Sequence, residues 1–557
     1  MPTIRIKKYR LKELVGPRIQ DEELKQILFS IGCEVEETEE LDVWDVEVNA
    51  SRLDMLMSEG LARALKGILG LEVGAPKYNI VDTNIMVYID PSVKDVRPYV
   101  VCAAVYDLNI DEDLLEEIMQ FQEKLHITMA RNRRKAAIGL HDMDKVNSNI
   151  IHYKAFPPDE IKFRPLHEVV EMTGREIIEK TEKGRKYAHL LIDKPRYPLL
   201  LTDTGKVLSM PPIINSDYTK VEVGTRNIFI DITGPDLNLL IKLLDILTTT
   251  LAEASKTRKI GRVKVVYPEP EVGTVIVPKL VYGKIVATVT GINSIIGLNL
   301  TPEETVDLLK KMRLDCSLLD DRNKIEVTIP PYRHDIMHEV DVAEDVAIAY
   351  GYQNIVPEVP TIYTVGKELP KTTFTRLVRE LMIGFGFQEI VSYILVGRDL
   401  QELVTNSTIL ELENPVVDYM NSVRAMLLPA HIAFAAENQH KEHPIKIFEV
   451  GDIVTYKEDK IKMETHLAAL VLSYKVGFED VHAVLHMLLK NLNLKYKLEP
   501  YTHKAFIKGR TAKIIINGEE RGVIGEINPE LLEKLKIVYP IAAFEIDITN
   551  LWSESKL

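Results

Sequence analysis

Apolar residues recur at helical spacing through Val342, Val346 and Ala349, and Gly351 closes the run, so a helix is predicted to start near Asp341. The stretch before it cannot belong to that helix, because Pro330-Pro331 removes backbone donors and keeps the preceding residue extended. A long apolar segment from Pro235 to Lys256 predicts a second helix. Thr301-Pro302-Glu303-Glu304 opens a third, with proline at its first position and acids in its first turn. Short apolar stretches predict strands at Trp44–Val48, Ile85–Ile89, Val100–Tyr106, Ile138–Leu140, Leu199–Leu201, Val207–Met210 and Asn227–Asp231.

These elements predict an α+β multidomain chain. Residues 1–82 read as an N-terminal α+β unit with an acidic loop from Glu34 to Asp42 and a helix from about Ser51 to Leu69. Residues 83–267 read as a mixed α/β domain containing a helix from Asp113 to Arg131. Residues 271–357 form a small α+β domain, and residues 369–557 a mostly antiparallel sheet with helices. The last part opens with a helix from Phe374 to Phe385 and a strand from Gln388 to Leu395. Pro268, Pro270 and Gly273, then Pro357 and Pro360, mark the linkers.

Composition narrows the class without naming a chemistry. At 557 residues, 46% hydrophobic and 27% charged, the chain is an ordinary globular one. It has no run of about 18 apolar residues that would span a membrane, and no signal peptide is read at its start. Cys33, Cys102 and Cys316 lie far apart, which excludes a disulfide framework or zinc knuckle and fits a reducing cytoplasm. The net charge of −14 means that any contact with nucleic acid must use local patches or a partner. The clearest patch is Lys124, His126, Arg131, Arg133, Arg134 and Lys135, opposed by Glu123; it reads either as a solvated run or as a phosphate-contacting strip.

Signatures for P-loops, serine hydrolases, zinc proteases and dinucleotide folds are absent. His482 and His486 sit four apart, a spacing open to metal but commoner in surface or core histidines. Asp335, Asp341, Glu344 and Asp345 place four carboxylates within eleven positions. Two readings stay open there: a hard cation such as Mg²⁺, or capping, with Asp341 as N-cap and Glu344 at the third helical position. Ser209-Met210-Pro211-Pro212-Ile213-Ile214-Asn215 and Asp231-Ile232-Thr233-Gly234 put polar groups at strand ends beside stiff apolar loops. That suits a small pocket reading a polar group, or ordinary turn chemistry. No Arg-x-Glu pair sits on a C-terminal strand to grip an adenylate, so that half reads as scaffold.

The order of Ser51-Arg52-Leu53-Asp54-Met55, Ser58-Glu59-Gly60-Leu61-Ala62-Arg63, Ile138-Gly139-Leu140-His141-Asp142, the Ser209 and Asp231 segments, Pro331-Tyr332-Arg333-His334-Asp335, Gly351-Tyr352 and Gly386-Phe387-Gln388-Glu389-Ile390 resembles phenylalanyl-tRNA synthetase beta subunits of the archaeal and eukaryotic-cytosolic type. The resemblance implies a two-alpha two-beta heterotetramer in the cytoplasm. In it the alpha subunit joins ATP, phenylalanine and the phenylalanine tRNA, releasing AMP and diphosphate. It implies that 83–267 is an editing domain hydrolysing tyrosine wrongly attached to that tRNA, through Ser209, Pro212, Asn215, Asp231 and Thr233 with His141 nearby. It further implies Mg²⁺ at Asp335, Asp341, Glu344 and Asp345, and a class II synthetase fold without catalytic motifs at 369–557. A free-standing editing hydrolase and a structural RNA-binding protein are the alternatives.

Overall fold

The computed structural model describes residues 1–457 and 459–553, which form two compact units, Met1–Val359 and Pro360–Leu557. In the first unit, Thr3–Lys7, Val43–Val48 and Cys33–Glu37 pair as a three-stranded antiparallel sheet with Val43–Val48 in the middle. Ile4, Ile6, Val46 and Val48 alternate into the core, as a half-buried sheet requires. Part of the expected acidic loop is therefore an edge strand. Its Glu37 is neutralised by Lys8 at 2.9 Å and Lys25 at 2.5 Å, which lets an acidic segment pair.

The helix expected over Ser51–Leu69 is instead a 3-10 turn, Leu53–Met55, followed by a helix, Ser58–Ile68. Asp54 explains the break. Its carboxylate is buried between Arg52 at 2.9 Å and Arg63 at 3.1 Å, and its carbonyl presses on Gly60 so closely that a Cβ there would lie 1.8 Å away. The Arg63 guanidinium also lies 3.6 Å from the centre of the Tyr332 ring, which ties this helix to the Pro330-Pro331 loop.

A ten-stranded mixed sheet forms the middle of this unit. Its path runs Ile214–Asn215, Val207–Met210, Tyr197–Thr202, Ile150–Phe156, Asn79–Ile89, Lys259–Val266, Tyr99–Val105, Ile228–Gly234, Ala137–Asp142, with Thr274–Val277 added to Lys259–Val266. Only the Asn79–Ile89 pairings are parallel. Tyr99–Val105 and Ile228–Gly234 are buried along nearly their whole length, beneath the apolar helix Leu237–Glu253. The two ends of the sheet meet, because Asn215 Nδ2 donates to the Leu140 carbonyl at 3.2 Å. A smaller sheet, Gly283–Thr288, Lys324–Ile329 and Asp315–Leu318, packs against Val289–Ile296, Pro302–Lys311 and Glu339–Tyr350.

The second unit is a seven-stranded sheet in the order Gln388–Glu389, Ile445–Lys457, Lys460–Leu472, Ile541–Asp547, Glu519–Ile527, Phe506–Ile516, Tyr496–Pro500, antiparallel except at its first pair. Alternation along Lys460–Leu472 sends Leu467, Ala469 and Val471 toward Pro370–Gly384 and Phe478–Asn491. It sends Ala468, Leu470 and Leu472 toward Leu428–Asn438 and Pro529–Lys534. Both faces are thus filled. The strand expected from Gln388 to Leu395 stops at Glu389, because buried Glu449 draws Ser392 out of line by accepting from its N–H at 3.1 Å and its hydroxyl at 2.6 Å. The chain re-pairs as Leu395–Val396 in a separate small sheet.

Glu545 organises the filled face, accepting from Leu427 N and Leu428 N and from the His466 ring at 2.8 Å. Burial disfavours the imidazolium, but the Glu464 carboxylate at 3.7 Å and the hydrogen bond to Glu545 outweigh it and raise His466 to about 9. A raised basic group stabilises fully below its unfolded pKa, near 6.5, and that stabilisation is lost as pH rises through about 9. The urea midpoint of the second unit should therefore fall across this window, and His466→Gln should flatten the decline.

Candidate functional site

Where the sheet ends meet, the first unit encloses a cavity of about 460 Å³. Leu115 and Met119 of the helix Glu112–Ile127 form one wall, Ile138 and Leu140 a second, and the turn from Ser209 to Asn215 a third. That turn contains a cis Pro211–Pro212 bond, and its carbonyls at Pro212 and Ile213 accept from Arg133 Nη1 at 3.1 and 2.8 Å. Arg133 is buried, stacks 4.4 Å from the centre of the Tyr187 ring, and leaves its Nε without a partner.

Strand register explains the polar end. Asp231 faces Gly139 directly across Ile228–Gly234 and Ala137–Asp142, while His141 faces Phe229. His141 and Asp231 are diagonal neighbours on one face, and His141 Nε2 reaches Asp231 Oδ1 at 2.7 Å because Gly139 has no side chain in between. The other ring nitrogen, Nδ1, pairs with Thr219 Oγ1 at 2.7 Å. This clamp fixes one carboxylate oxygen of Asp231, a residue lining the cavity, and leaves the second without a hydrogen-bond partner among the described residues.

Ser209, Pro212, Asn215 and Asp231 therefore line one cavity, and His141 stands behind Asp231. Ser209 Oγ is buried and unpartnered, whereas the Asn215 amide is engaged by Leu140. Thr233 is placed differently: its hydroxyl accepts from Arg97 Nε at 2.9 Å and its carbonyl from Arg97 Nη2 at 2.7 Å, and it is not part of the cavity lining. Arg97, Arg133, Gly139 and Thr219 were not singled out from sequence as pocket residues, since only the strand register and the meeting of the sheet ends bring them together.

The basic run also separates. The helix expected to reach Arg131 ends at Ile127, and His126 turns inward, its Nε2 accepting from Ile138 N at 2.8 Å. Burial lowers His126 to about 4, so it carries no charge to a phosphate at neutral pH.

The carboxylate loop does three different things. Arg333 engages all four oxygens of Asp335 and Asp345 at 2.7 to 3.1 Å. The helix Glu339–Tyr350 begins earlier than expected, with His338 rather than Asp341 as N-cap. Asp341 at the third position accepts from the backbone N–H of Met337 and His338, both at 2.7 Å, which orphan donors at a helix start require. Glu344 is exposed. Mg²⁺ needs near-octahedral oxygens at about 2.0–2.1 Å. Among the described residues no three carboxylate, histidine or cysteine side chains are grouped for a metal. Within this chain the arrangement fits an arginine-neutralised pair and a helix cap, not a magnesium cage. His482 and His486 both contact the Tyr496 hydroxyl, at 3.0 and 3.1 Å.

Three family models match the chain: "Phe-tRNA synthetase beta subunit B1 domain" over residues 1–70, "tRNA synthetase B5 domain" over 285–352, and "Phenylalanyl tRNA synthetase beta chain CLM domain" over 355–548. The phenylalanine–tRNA ligase beta subunit of Pyrococcus furiosus is 39% identical, covering 99% of this chain and 100% of that protein. That of Methanocaldococcus jannaschii is also 39% identical, over 98% and 100%. A crystal structure of an N-terminal fragment of the phenylalanyl-tRNA synthetase beta subunit from Pyrococcus horikoshii matches with TM-score 0.59 and 40% identity, covering 63% of this chain and 99% of the fragment.

Two outcomes follow from this geometry. A Cβ at Gly139 would lie 2.2 Å from Asp231 Oδ1, so Gly139→Ala should break the His141–Asp231 contact, lower stability by about 1–3 kcal/mol and shift the His141 ring resonances in NMR spectra. Arg333→Met should cost about 3–5 kcal/mol in urea unfolding by stranding two carboxylates, whereas EDTA should leave the melting temperature of the purified chain unchanged.

Proposed function

The chain belongs to the phenylalanine–tRNA ligase beta-subunit family, and on that premise we propose that it pairs with an alpha subunit that charges the tRNA while its own cavity hydrolyses mischarged tyrosine. In this reading two alpha and two beta chains assemble. ATP, phenylalanine and the phenylalanine tRNA react on alpha, and AMP and diphosphate leave. The second unit is then a class II synthetase fold turned to scaffolding. Its filled sheet faces support this, as does Arg424, which is spent on Glu449 at 2.7 Å instead of standing free for a phosphate.

The observation that carries the editing reading is the clamped Asp231. Tyrosine differs from phenylalanine by one hydroxyl, and an apolar pocket rejects an added hydroxyl weakly, whereas a site that hydrogen-bonds it selects strongly. Leu115, Met119, Ile138 and Leu140 supply apolar walls for the ring. The free oxygen of Asp231 accepts from the phenol, and a phenyl ring would leave that oxygen buried and unpaired. Thr233, which accepts from Arg97 and does not line the cavity, is not assigned this role.

Hydrolysis adds water at the ester carbonyl and expels the ribose oxygen, which takes up a proton to become a hydroxyl, giving tyrosine and uncharged tRNA. The cavity presents no paired nucleophile and base of the Ser–His kind, since His141 is held on both nitrogens. The chain's part is then to bind and orient the aminoacyl group while a water attacks. The Arg333-bound carboxylates take no part in this step.

Asp231→Ala in the assembled complex should reduce tyrosyl-tRNA hydrolysis about 10- to 100-fold, the worth of one hydrogen bond to a charged group. Phenylalanine charging should not change. Undiminished tyrosyl-tRNA cleavage would remove the assignment.

A further inference from the structure

Just past the helix Glu112–Ile127 the chain makes a turn that L-residues resist: Arg131, Asn132 and Arg133 follow one another at φ +48°, +52° and +64°. It is held from inside. Arg133 N donates to the His126 carbonyl at 3.4 Å, Lys135 N to the Ala130 carbonyl at 2.9 Å, and Arg97 Nη2 to the Arg133 carbonyl at 3.2 Å. The buried Arg133 side chain reaches the cavity turn, where its Nε is unpartnered. The Lys135 carbonyl also sits close to Gly234, where a Cβ would lie 2.3 Å from it.

This frame presents Arg131, Arg134 and Lys135 outward. All three are exposed and have neither an ion pair nor a side-chain hydrogen bond among the described residues. Glu123, the acid that precedes the turn, is committed to Arg133 at 3.4 Å and Lys186 at 3.9 Å. In a chain of net charge −14, three unpaired cations on one rigid turn are a local exception. Their positive character continues into the cavity lining through Arg133 and Lys183.

We propose that the Arg131–Lys135 turn grips the phosphodiester backbone of the RNA whose aminoacylated end enters the cavity. Which end enters rests on the editing reading; the grip on RNA does not. Surface cations on a mobile loop are screened and adaptable, but the backbone carrying these is held close to a cavity that, in the editing reading, takes one nucleotide-linked ester, so they set the register of the strand.

The test uses the alpha–beta complex, with phenylalanine tRNA binding followed by fluorescence anisotropy across a KCl series. The triple variant Arg131→Gln, Arg134→Gln, Lys135→Gln should bind about tenfold more weakly. The slope of log affinity against log salt should shrink by about 2, at about 0.7 for each of three single-strand contacts. The charge-conserving triple Arg131→Lys, Arg134→Lys, Lys135→Arg should restore both. For tyrosyl-tRNA hydrolysis the Gln variant should raise KM with kcat unchanged, and cleavage of a minimal tyrosyl-adenosine ester should not change. Unaltered affinity and salt slope would overturn the proposal, even with wild-type editing intact. Loss of RNA affinity in a protein whose wild type cleaves neither ester would uphold the grip and reject the editing reading.

Discussion

The first unit depends on a buried constellation of charges around Asp54. This carboxylate, 1% exposed, binds Arg52 and Arg63, and Arg63 in turn lies on Tyr332 and 3.9 Å from Glu253. Glu253 accepts from Tyr78 at 2.9 Å, and Thr250 Oγ1 donates to the Asp54 carbonyl at 3.4 Å. The helix Ser58–Ile68, the proline loop and the end of Leu237–Glu253 therefore share one set of partners. Removing any charge would strand the others out of water, which is far costlier than losing an exposed pair. Leu237–Glu253 also covers the strand that carries Asp231, so the network fixes the platform on which the cavity is built.

That platform bears on the proposed editing chemistry. A carboxylate can discriminate a phenol from a phenyl ring only if it cannot turn away, and freedom of rotation is what the diagonal His141 contact removes. Gly139 is part of the same device, since any side chain there would occupy the place of the carboxylate. Pocket shape alone could come from many apolar residues; in the proposed function the selective element is one oxygen held still.

The sequence revealed residue types more readily than partners. Ser209, Pro212, Asn215 and Asp231 were visible as strand-end polar groups and stiff turns, because local spacing carries that information. Arg97 was not visible, being 136 positions from Thr233, and nothing near either residue reports the contact. Thr233 was legible as a polar strand residue and illegible as one already spent. The same blindness affected Asp335 to Asp345. A local reading saw four acids and left a cation or a helix cap open, whereas Arg333, in the same motif, pairs with Asp335 and Asp345 while Asp341 caps the helix. Helix ends erred in the same way: apolar periodicity ran the Glu112–Ile127 helix on to Arg131, where three residues of positive φ show tertiary contacts deciding the backbone.

Charge placement gives the acidic balance a physical meaning. Long-range repulsion between a chain of net charge −14 and a polyanion disfavours indiscriminate association with nucleic acid. A rigid cationic turn next to the cavity reverses that field only at close range, since screening confines it to within about 8 Å at physiological salt. Under the proposed grip, attraction limited to that distance would favour an RNA already delivered to the cavity over one arriving elsewhere. The His126 and Arg133 side chains, drawn inward from the basic run, sharpen the same contrast: they fix the turn while Arg131, Arg134 and Lys135 carry the exposed charge.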